Sequence, residues 1–329
     1  MLAKRTLIAN LEQPAKKTNL TSLSGLLLID KSSDWTSHDV VAKARGIAKT
    51  RRVGHAGTLD PMATGLLILG LNNATKLLTF LVGEDKTYVT TIRLGASTVT
   101  DDRESEYLTV ADGALVLAID SAQIASAVAS LTGEIMQVPS SVSAIKVNGE
   151  RAYAKVRGGD EVKLAARPIT VSRFDLLGEP RRSTVDGNEF VDIDAIIDCS
   201  SGTYIRALAR DLGSALGVGG HLTALRRTRI GAYNVTDARR LEDLNPDNLN
   251  ILQSQDAARA QFDTRELTSQ EVVDLRHGKR LKLGQVVASK TARDRSIAAF
   301  GPDGSLVAIL QNSGGQLKSL VVFQEEQHG

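Results

Sequence analysis

The sequence predicts an α+β fold, with strands and helices interleaved over most of the chain and a small β-rich module at its end. Three observations carry that expectation. Short apolar or β-branched segments at 25–30, 66–69, 87–95 and 191–199 have strand length. Between them, Val40, Val41, Ala44, Ile47 and Ala48, and later Ile124, Val128 and Leu131, recur at helical spacing. From about residue 262 the texture changes to short strands broken by glycine turns. A chain of 329 residues suits two domains, and with 42% apolar residues it can bury a sizeable core.

Taken in order, residues 1–23 are polar and are expected to form a flexible extension. Gly25 to Asp30 reads as a buried strand. Thr36 and Asp39 fit a capping box, which starts a helix over about 37–49. Gly54-His55-Ala56-Gly57-Thr58-Leu59-Asp60-Pro61-Met62-Ala63-Thr64-Gly65 then packs three glycines and a proline into twelve residues, a density that favours a structured loop over a helix or central strand. Its only carboxylate, Asp60, is delivered beside the strand Leu66 to Leu69; an Asp before Pro can also serve simply as a turn acid. Ala74 to Leu81 suggests a short helix. In the strand Thr87 to Gly95, Tyr88, Thr90, Ile92 and Leu94 share one face. Residues 96–120 read as an acidic, loop-rich stretch, and 121–131 as a helix stopped by Gly133.

From Val142 to Arg173 seven Lys/Arg face three acids in an irregular, Ser-rich segment, which fits either a disordered insertion or a binding loop. Val191 to Cys199 alternates as a strand with Cys199 inward, and Ile205, Leu208, Leu212 and Leu216 mark the helix after Gly202. Arg206 falls in the first turn of that helix. The macrodipole disfavours a cation there, so Arg206 should have an anionic partner. Arg226, Arg227 and Arg229 lie within four positions and are expected to contact phosphate. Residues 235–260 read as a polar helix-and-turn connection, and 271–279 as helical. Phe300 to Ser305 is a hairpin turn, and Leu317 to Phe323 a last strand.

Net charge is only +2, but its distribution is uneven: residues 1–52 carry ten Lys/Arg against four Asp/Glu, and 201–231 five Arg against Asp211. Such segregation permits a basic face for nucleic acid. Cys199 is alone, which excludes a disulfide framework and a thiolate metal cluster. The five histidines lack ligand spacing, so no metal is expected. No apolar run reaches the roughly 18 residues of a membrane span, and the N-terminus is too polar for a signal peptide. A soluble, cytoplasmic protein is expected.

The segment from Gly54 to Leu67 resembles the catalytic-loop signature of the tRNA pseudouridine synthase B (TruB-type) family. Lys86-Thr87-Tyr88 with Arg93-Leu94-Gly95 resembles that family's second motif, and Ser143 to Gly149 the Ser-Ala-x-Lys-x-x-Gly core of its RNA-gripping insertion. The family's Lys-Pro-x-Gly-x-Thr-Ser stretch stands here as Lys31-Ser32-Ser33-Asp34-Trp35-Thr36-Ser37, with Ser32 and Asp34 in place of Pro and Gly. The tail resembles, more loosely, a PUA-type RNA-binding barrel.

The resemblance implies a mixed, largely antiparallel sheet flanked by helices in a catalytic domain at 24–260, an RNA-binding insertion at 136–165 and a PUA-like domain at 262–326. It implies isomerisation of the T-loop uridine of tRNA to pseudouridine, with neither metal nor cofactor. Asp60 would be the catalytic carboxylate, aligned by Arg206. Tyr88 would stack the flipped base, Leu225 pack against the site, and His55 fill space or bind phosphate, with Tyr204 also placed at the substrate. Lys31, Lys146, Arg151, Arg226 and Arg227 are the RNA-contact candidates. The T-stem-loop is the expected partner, and a monomer the expected state. Two alternatives stand beside this. A non-catalytic RNA-binding or tRNA-folding protein would keep the arginines without needing the Asp60–Arg206 pair. A base-excising glycosidase would want a second carboxylate flanking the bond.

Overall fold

The computed structural model describes residues 24–140, 164–288 and 296–324, and the backbone of 146–147 and 150–151. The expected extension at 1–23 and most of the insertion lie outside the described residues.

Residues 24–261 are built around one large mixed sheet. Its first strand, β1 (Gly25–Lys31), leads into α1 (Ser37–Ala48), where the Thr36–Asp39 capping box forms as expected. The turn between them keeps a glycine-like geometry without glycine: Asp34 sits at φ 69°, one of the few left-handed conformations an Asp tolerates. β2 (Val53–Ala56) and β3 (Thr64–Leu71) bracket the Asp60 loop. The first residues of that glycine-rich stretch are therefore a short edge strand, paired to β3 from Val53↔Leu71 to Ala56↔Ile68. A 3₁₀ turn (Asn72–Leu77) and α2 (Leu78–Val82) take the place of the helix expected over 74–81, and β4 (Lys86–Leu94) follows.

The stretch expected to be loop contains β5 (Ala96–Thr98), β6 (Tyr107–Val110) and α3 (Gly113–Leu117). Its strands pair only with each other, so neither has the apolar alternation of a strand packed in the core. Next come α4 (Ser121–Ser130), β7 (Gly133–Gln137), the two-residue strands β8 (Lys146–Val147) and β9 (Glu150–Arg151), β10 (Arg167–Leu176), β11 (Arg181–Val185) and β12 (Asn188–Cys199). Then α5 (Ile205–Ala215) returns the chain to β13 (Gly220–Ile230) at the centre of the sheet. Short strands β14 (Tyr233–Asn234), β15 (Arg239–Arg240) and β16 (Leu252–Gln253) and helix α6 (Ser254–Gln261) complete this half.

Strand order is β15-β1-β3-β13-β4-β12-β10-β7, with β2, β11, β14 and β16 attached at the side. Most neighbours are antiparallel, whereas β13 meets β3 in parallel over Thr64↔Arg226 and Gly65↔Arg227. That junction requires glycine. A Cβ on Gly65, at φ +99°, would stand 2.2 Å from the Arg227 carbonyl oxygen.

β1 and β3 show no apolar–polar alternation because both of their faces are buried. Leu27, Ile29, Leu67 and Leu69 join α1, α4 and α5 in one core, together with Tyr88, Ile92, Ile193, Ile197 and the inward Cys199. Leu26, Leu66 and Ile68 point the other way, into a second core that includes Leu78, Phe262, Ala298, Phe300, Ile309 and Phe323.

The last of these belong to the C-terminal module. It comprises β17 (Asp263–Glu266), α7 (Ser269–Arg276), β18 (Leu281–Lys282), β19 (Ile297–Phe300), β20 (Leu306–Ser313) and β21 (Gln316–Val322). Its five strands run β17-β19-β20-β21-β18, and the expected hairpin turn at 300–305 closes with Gly301 N–H donating to Ser305 O at 2.9 Å. A third core of Leu267, Leu275, Ile297, Val307 and Leu317 lies within the module itself.

Candidate active site

The Asp60 loop is held by its own carbonyls. The guanidinium of Arg227 donates to Gly57 O at 3.0 Å, Thr58 O at 3.3 Å and Leu66 O at 2.9 Å. Ser37, the first residue of α1, donates to Leu59 O at 3.1 Å and accepts from Leu59 N–H at 2.9 Å. Ala63 N–H donates to Asp60 O at 3.1 Å. Pro61 O accepts from Lys31 Nζ at 3.0 Å and from Asp34 N–H at 2.9 Å. Every carbonyl from Gly57 to Pro61 thus has a donor, and the donors come from β1, the turn after it, α1, β13 and the loop itself.

The sequence expectation for Arg206 is met by geometry. Its Nε lies 2.9 Å from Asp60 Oδ2 and its Nη2 donates to Asp60 Oδ1 at 3.2 Å, a two-pronged contact that fixes the plane of the carboxylate. The Arg206 side chain is 7% exposed and that of Asp60 31%, so the buried partner presents the accessible one. Arg206 Nη1 also donates to Thr100 O at 2.8 Å and lies 3.6 Å from Asp102 Oδ2. Asp102 is itself fixed by the Thr100 hydroxyl at 2.5 Å and by Glu104 N–H at 2.9 Å. Glu104 is held above the usual carboxylate range, by burial first and then by the charges of Asp102 and Asp60.

Helix α5, which carries Arg206, has no side-chain cap of its own. Gln137 from β7 supplies one: its carboxamide donates to Tyr204 O at 3.0 Å and accepts from Tyr204 N–H at 2.9 Å. One turn on, Arg210 reaches Asp211 at 2.8 Å, Asp101 at 3.4 Å and Val138 O at 2.7 Å, bolting the end of β7 to the same helix.

Tyr88 and Leu225 lie buried, at 7% and 6% exposure, in the same apolar core as Leu59 and Met62 of the Asp60 loop. Tyr88 sits directly opposite Arg227 in the β4–β13 register. Burial raises its phenol above the ordinary value, against the opposing pull of Arg227. Tyr204 is half-buried at the N-terminus of α5. His55 is half-buried on β2 and meets the edge of His38, ring centroids 5.9 Å apart. Burial lowers its pKa and the neighbouring His38 lowers it further, which suits a space-filling group better than a phosphate-binding cation.

The RNA-contact candidates divide. Lys31 and Arg227 are each 1% exposed and their donors go to backbone carbonyls, which sets them apart from the surface at which a phosphate contact was expected. Arg226 keeps a side chain that is 40% exposed while it holds Asp30 through two bonds of 2.9 and 2.7 Å. Lys146 and Arg151 stand opposite one another in a two-residue antiparallel pair.

Sequence reasoning missed Thr100, Asp102, Glu104 and Gln137. The first three lay in a stretch recognised only as acidic, and nothing in the local pattern marks a lone Gln as a cap. Among the described residues no cluster of His, Cys, Asp and Glu is placed to hold a metal, and no helix is long and apolar enough to cross a membrane.

Known proteins resemble this chain over nearly its whole length. Residues 45–205 match the TruB family pseudouridylate synthase N-terminal domain. Residues 206–274 match the tRNA pseudouridylate synthase B C-terminal domain, and 262–324 the tRNA pseudouridine synthase II C-terminal domain. Two relatives, each named tRNA pseudouridine synthase B, come from Arthrobacter sp. (strain FB24) and Leifsonia xyli. They are 56% and 54% identical, over 92% of this chain and 97% and 98% of theirs. The fold is shared with a chain of a Cbf5-Nop10-Gar1 complex at a TM-score of 0.66 and 22% identity, covering 92% of this chain and 85% of that one. With its motifs and nearly its whole length matched, this chain belongs to the tRNA pseudouridine synthase B (TruB) family.

Proposed function

We propose that this protein isomerises the T-loop uridine of tRNA to pseudouridine, with Asp60 as the carboxylate at the reacting sugar or base. The observation that carries the proposal is the Asp60–Arg206 pair: one accessible carboxylate held in a fixed plane by a buried guanidinium. The reaction detaches uracil from ribose and rejoins it through C5, so it consumes no water, phosphate or electrons. It needs a reacting oxygen, a pocket that retains the base and a positive environment, and neither metal nor cofactor.

In this reading the target base leaves the stack and lies against Tyr88, with Leu225 and Tyr204 shaping the pocket and His55 filling space beside it. Tyr88 and Leu225 are nearly covered here, so base entry parts the side chains that cover them. Arg226, Lys146, Arg151 and a PUA-like C-terminal module with exposed Lys279, Arg280 and Lys282 would grip the T-stem-loop. The protein would work as a monomer in the cytoplasm.

The test is tritium release from tRNA labelled at uridine C5. Wild type should release tritium, and Asp60→Asn should bind the same RNA without releasing it. Release by Asp60→Asn within about tenfold of wild type, ~1.4 kcal/mol of barrier, would remove Asp60 from the chemistry. Free uracil as product would point to the glycosidase alternative, and binding without any turnover by wild type to a tRNA-folding protein.

A further inference from the structure

Three cations lie buried around the Asp60 loop and Tyr88: Lys31 and Arg227 at 1% exposure and Lys86 at 7%. Among the described residues none of them has a carboxylate in ion-pair contact. Each is held by backbone carbonyls instead. Lys31 donates to Ser32, Trp35 and Pro61, Lys86 to Val82 at 3.0 Å and Glu84 at 2.7 Å, and Arg227 to Gly57, Thr58 and Leu66. Carbonyl dipoles satisfy the donors without cancelling the charge. Burying unpaired charge is costly, and folds ordinarily neutralise or pair such groups.

Two of the three are gathered on one side of the base platform. Lys86 and Tyr88 alternate on the same face of β4, and Arg227 is the cross-strand neighbour of Tyr88 on β13. A Cβ placed on Gly57 would lie 3.5 Å from Arg227 Nη1 and 3.7 Å from Lys86 Cε, so both side chains converge beneath the loop. The charge of Arg227 is also among the causes that hold the Lys86 ammonium at about 8, behind burial, as expected for two cations close together. Neither can reach a phosphate at the surface.

We propose that Arg227 and Lys86 form a fixed cationic floor that stabilises the negative charge the uracil ring acquires during isomerisation. The inference rests on Tyr88 as the base platform. When the C1′–N1 bond breaks, its electron pair stays on the ring, delocalised onto O2 and O4, while C1′ is satisfied by the Asp60 carboxylate or by loss of a sugar proton. After the ring turns, the ring's electron pair at C5 forms the C1′–C5 bond as the C1′–oxygen bond to Asp60 breaks or the sugar regains its proton. The C5 proton then leaves to solvent and N1 takes one up, so the ring ends neutral. If Asp60 adds to the base instead, the ring again carries the negative charge. Every route therefore passes through an anionic base, and a preorganised positive field lowers its energy without touching it. Arg227 and Lys86 act through space and through the placement of Tyr88, so they are positioning residues.

A leaving-group comparison separates this from simple bracing. Single-turnover loss of the starting nucleoside is followed at saturating RNA, on tRNA carrying uridine and on tRNA carrying 5-fluorouridine, whose base holds negative charge more easily. Arg227→Met should slow the uridine substrate by roughly 100-fold, the order of one lost preorganised donor. The 5-fluorouridine substrate should lose less, by about tenfold or more. Lys86→Met should show the same inequality, and it decides the matter should Arg227→Met fail to fold. Equal losses on both substrates, in whichever variant folds, would overturn the proposal and leave the two cations as braces. Failure of Tyr88 as the base platform shows separately: Tyr88→Leu would then keep a wild-type rate on both RNAs.

Discussion

Arg206 serves Asp60 through shape as much as charge. Its two parallel bonds fix the carboxylate plane, and its third nitrogen is tied to Thr100 O and faces Asp102. Arg206→Lys keeps the charge but offers a single mobile point. A small displacement of a reacting group costs roughly 100-fold, so the single-turnover rate at saturating tRNA should fall by that order while affinity changes little. A near-normal rate with weakened binding would show instead that Arg206 serves the RNA backbone. Burial also gives the residues a pH signature. Lys31 and Lys86 fall from an ordinary 10.5 to about 8 because burial penalises their charged forms. Between those values the unfolded chain binds protons that the folded one has lost, so stability rises with pH above about 8 and the burial penalty stands in full below it. Cys199, pushed by burial from 9.0 to about 12, acts oppositely and erodes stability above 9. Melting temperature should therefore climb between about pH 8 and 9, and Lys86→Met should flatten the climb; an equal slope in the variant would contradict the assignment. That Arg206 needs an anion was legible from its place in the first turn of a helix, whereas Asp60 as that anion was implied only by the family resemblance. The burial of Lys31 and Arg227 was not legible, since a charged residue reads as exposed unless the carbonyls that receive it are known, and those belong to segments distant in sequence.

At the level of elements, helix α5 owes its start to another part of the chain. Tyr204 lacks a capping side chain, and Gln137 of β7 takes both its N–H and its C=O. Gln137→Ala removes two hydrogen bonds worth about 1 kcal/mol each, so stability should fall by roughly 2 kcal/mol in denaturant titrations. The single-turnover rate should fall as well, because the first turn of α5 carries Arg206; full activity in the folded variant would uncouple β7 from the site. The strands with a strong local pattern, β1, β3, β4 and β12, could be read directly from the sequence. β13 could not: its arginines alternate into ion pairs and carbonyl contacts within the sheet, so a central strand carried the composition of a basic surface. The segment 96–106 was likewise hidden, because what places Asp102 is hydrogen bonding from Thr98 and Thr100 rather than an apolar period.

For the whole molecule, the C-terminal module is less separable than its change in texture suggests. Leu26, Leu66 and Ile68 of the large sheet share a core with Ala298, Phe300, Ile309 and Phe323. Lys76 donates to Val322 O at 2.9 Å and stands over the Phe323 ring. A chain ending at 261 would expose the outer face of β3, the strand that follows the Asp60 loop. Such a truncation should bind a hydrophobic dye and lose its cooperative melting transition, and not merely bind tRNA less well; a cooperatively folded fragment with a wild-type saturated rate would contradict this. The module boundary was visible because glycine turns announce short strands, while the shared core was not, because nothing in an apolar run says which neighbour will cover it.

The five consecutive carbonyls of the Asp60 loop, each already engaged, have a consequence for the RNA. A loop with its backbone accounted for in the free protein has little left to organise when a partner arrives. In the proposed reaction the backbone work of forming the complex then falls on the nucleic acid, whose base must unstack at a cost of a few kcal/mol, while the protein parts only the side chains over Tyr88 and Leu225. Discrimination among uridines accordingly becomes a property of how easily each RNA surrenders its base: a tightly folded loop is disfavoured in proportion to its own local stability, and the protein reads sequence through the mechanical yield of the substrate.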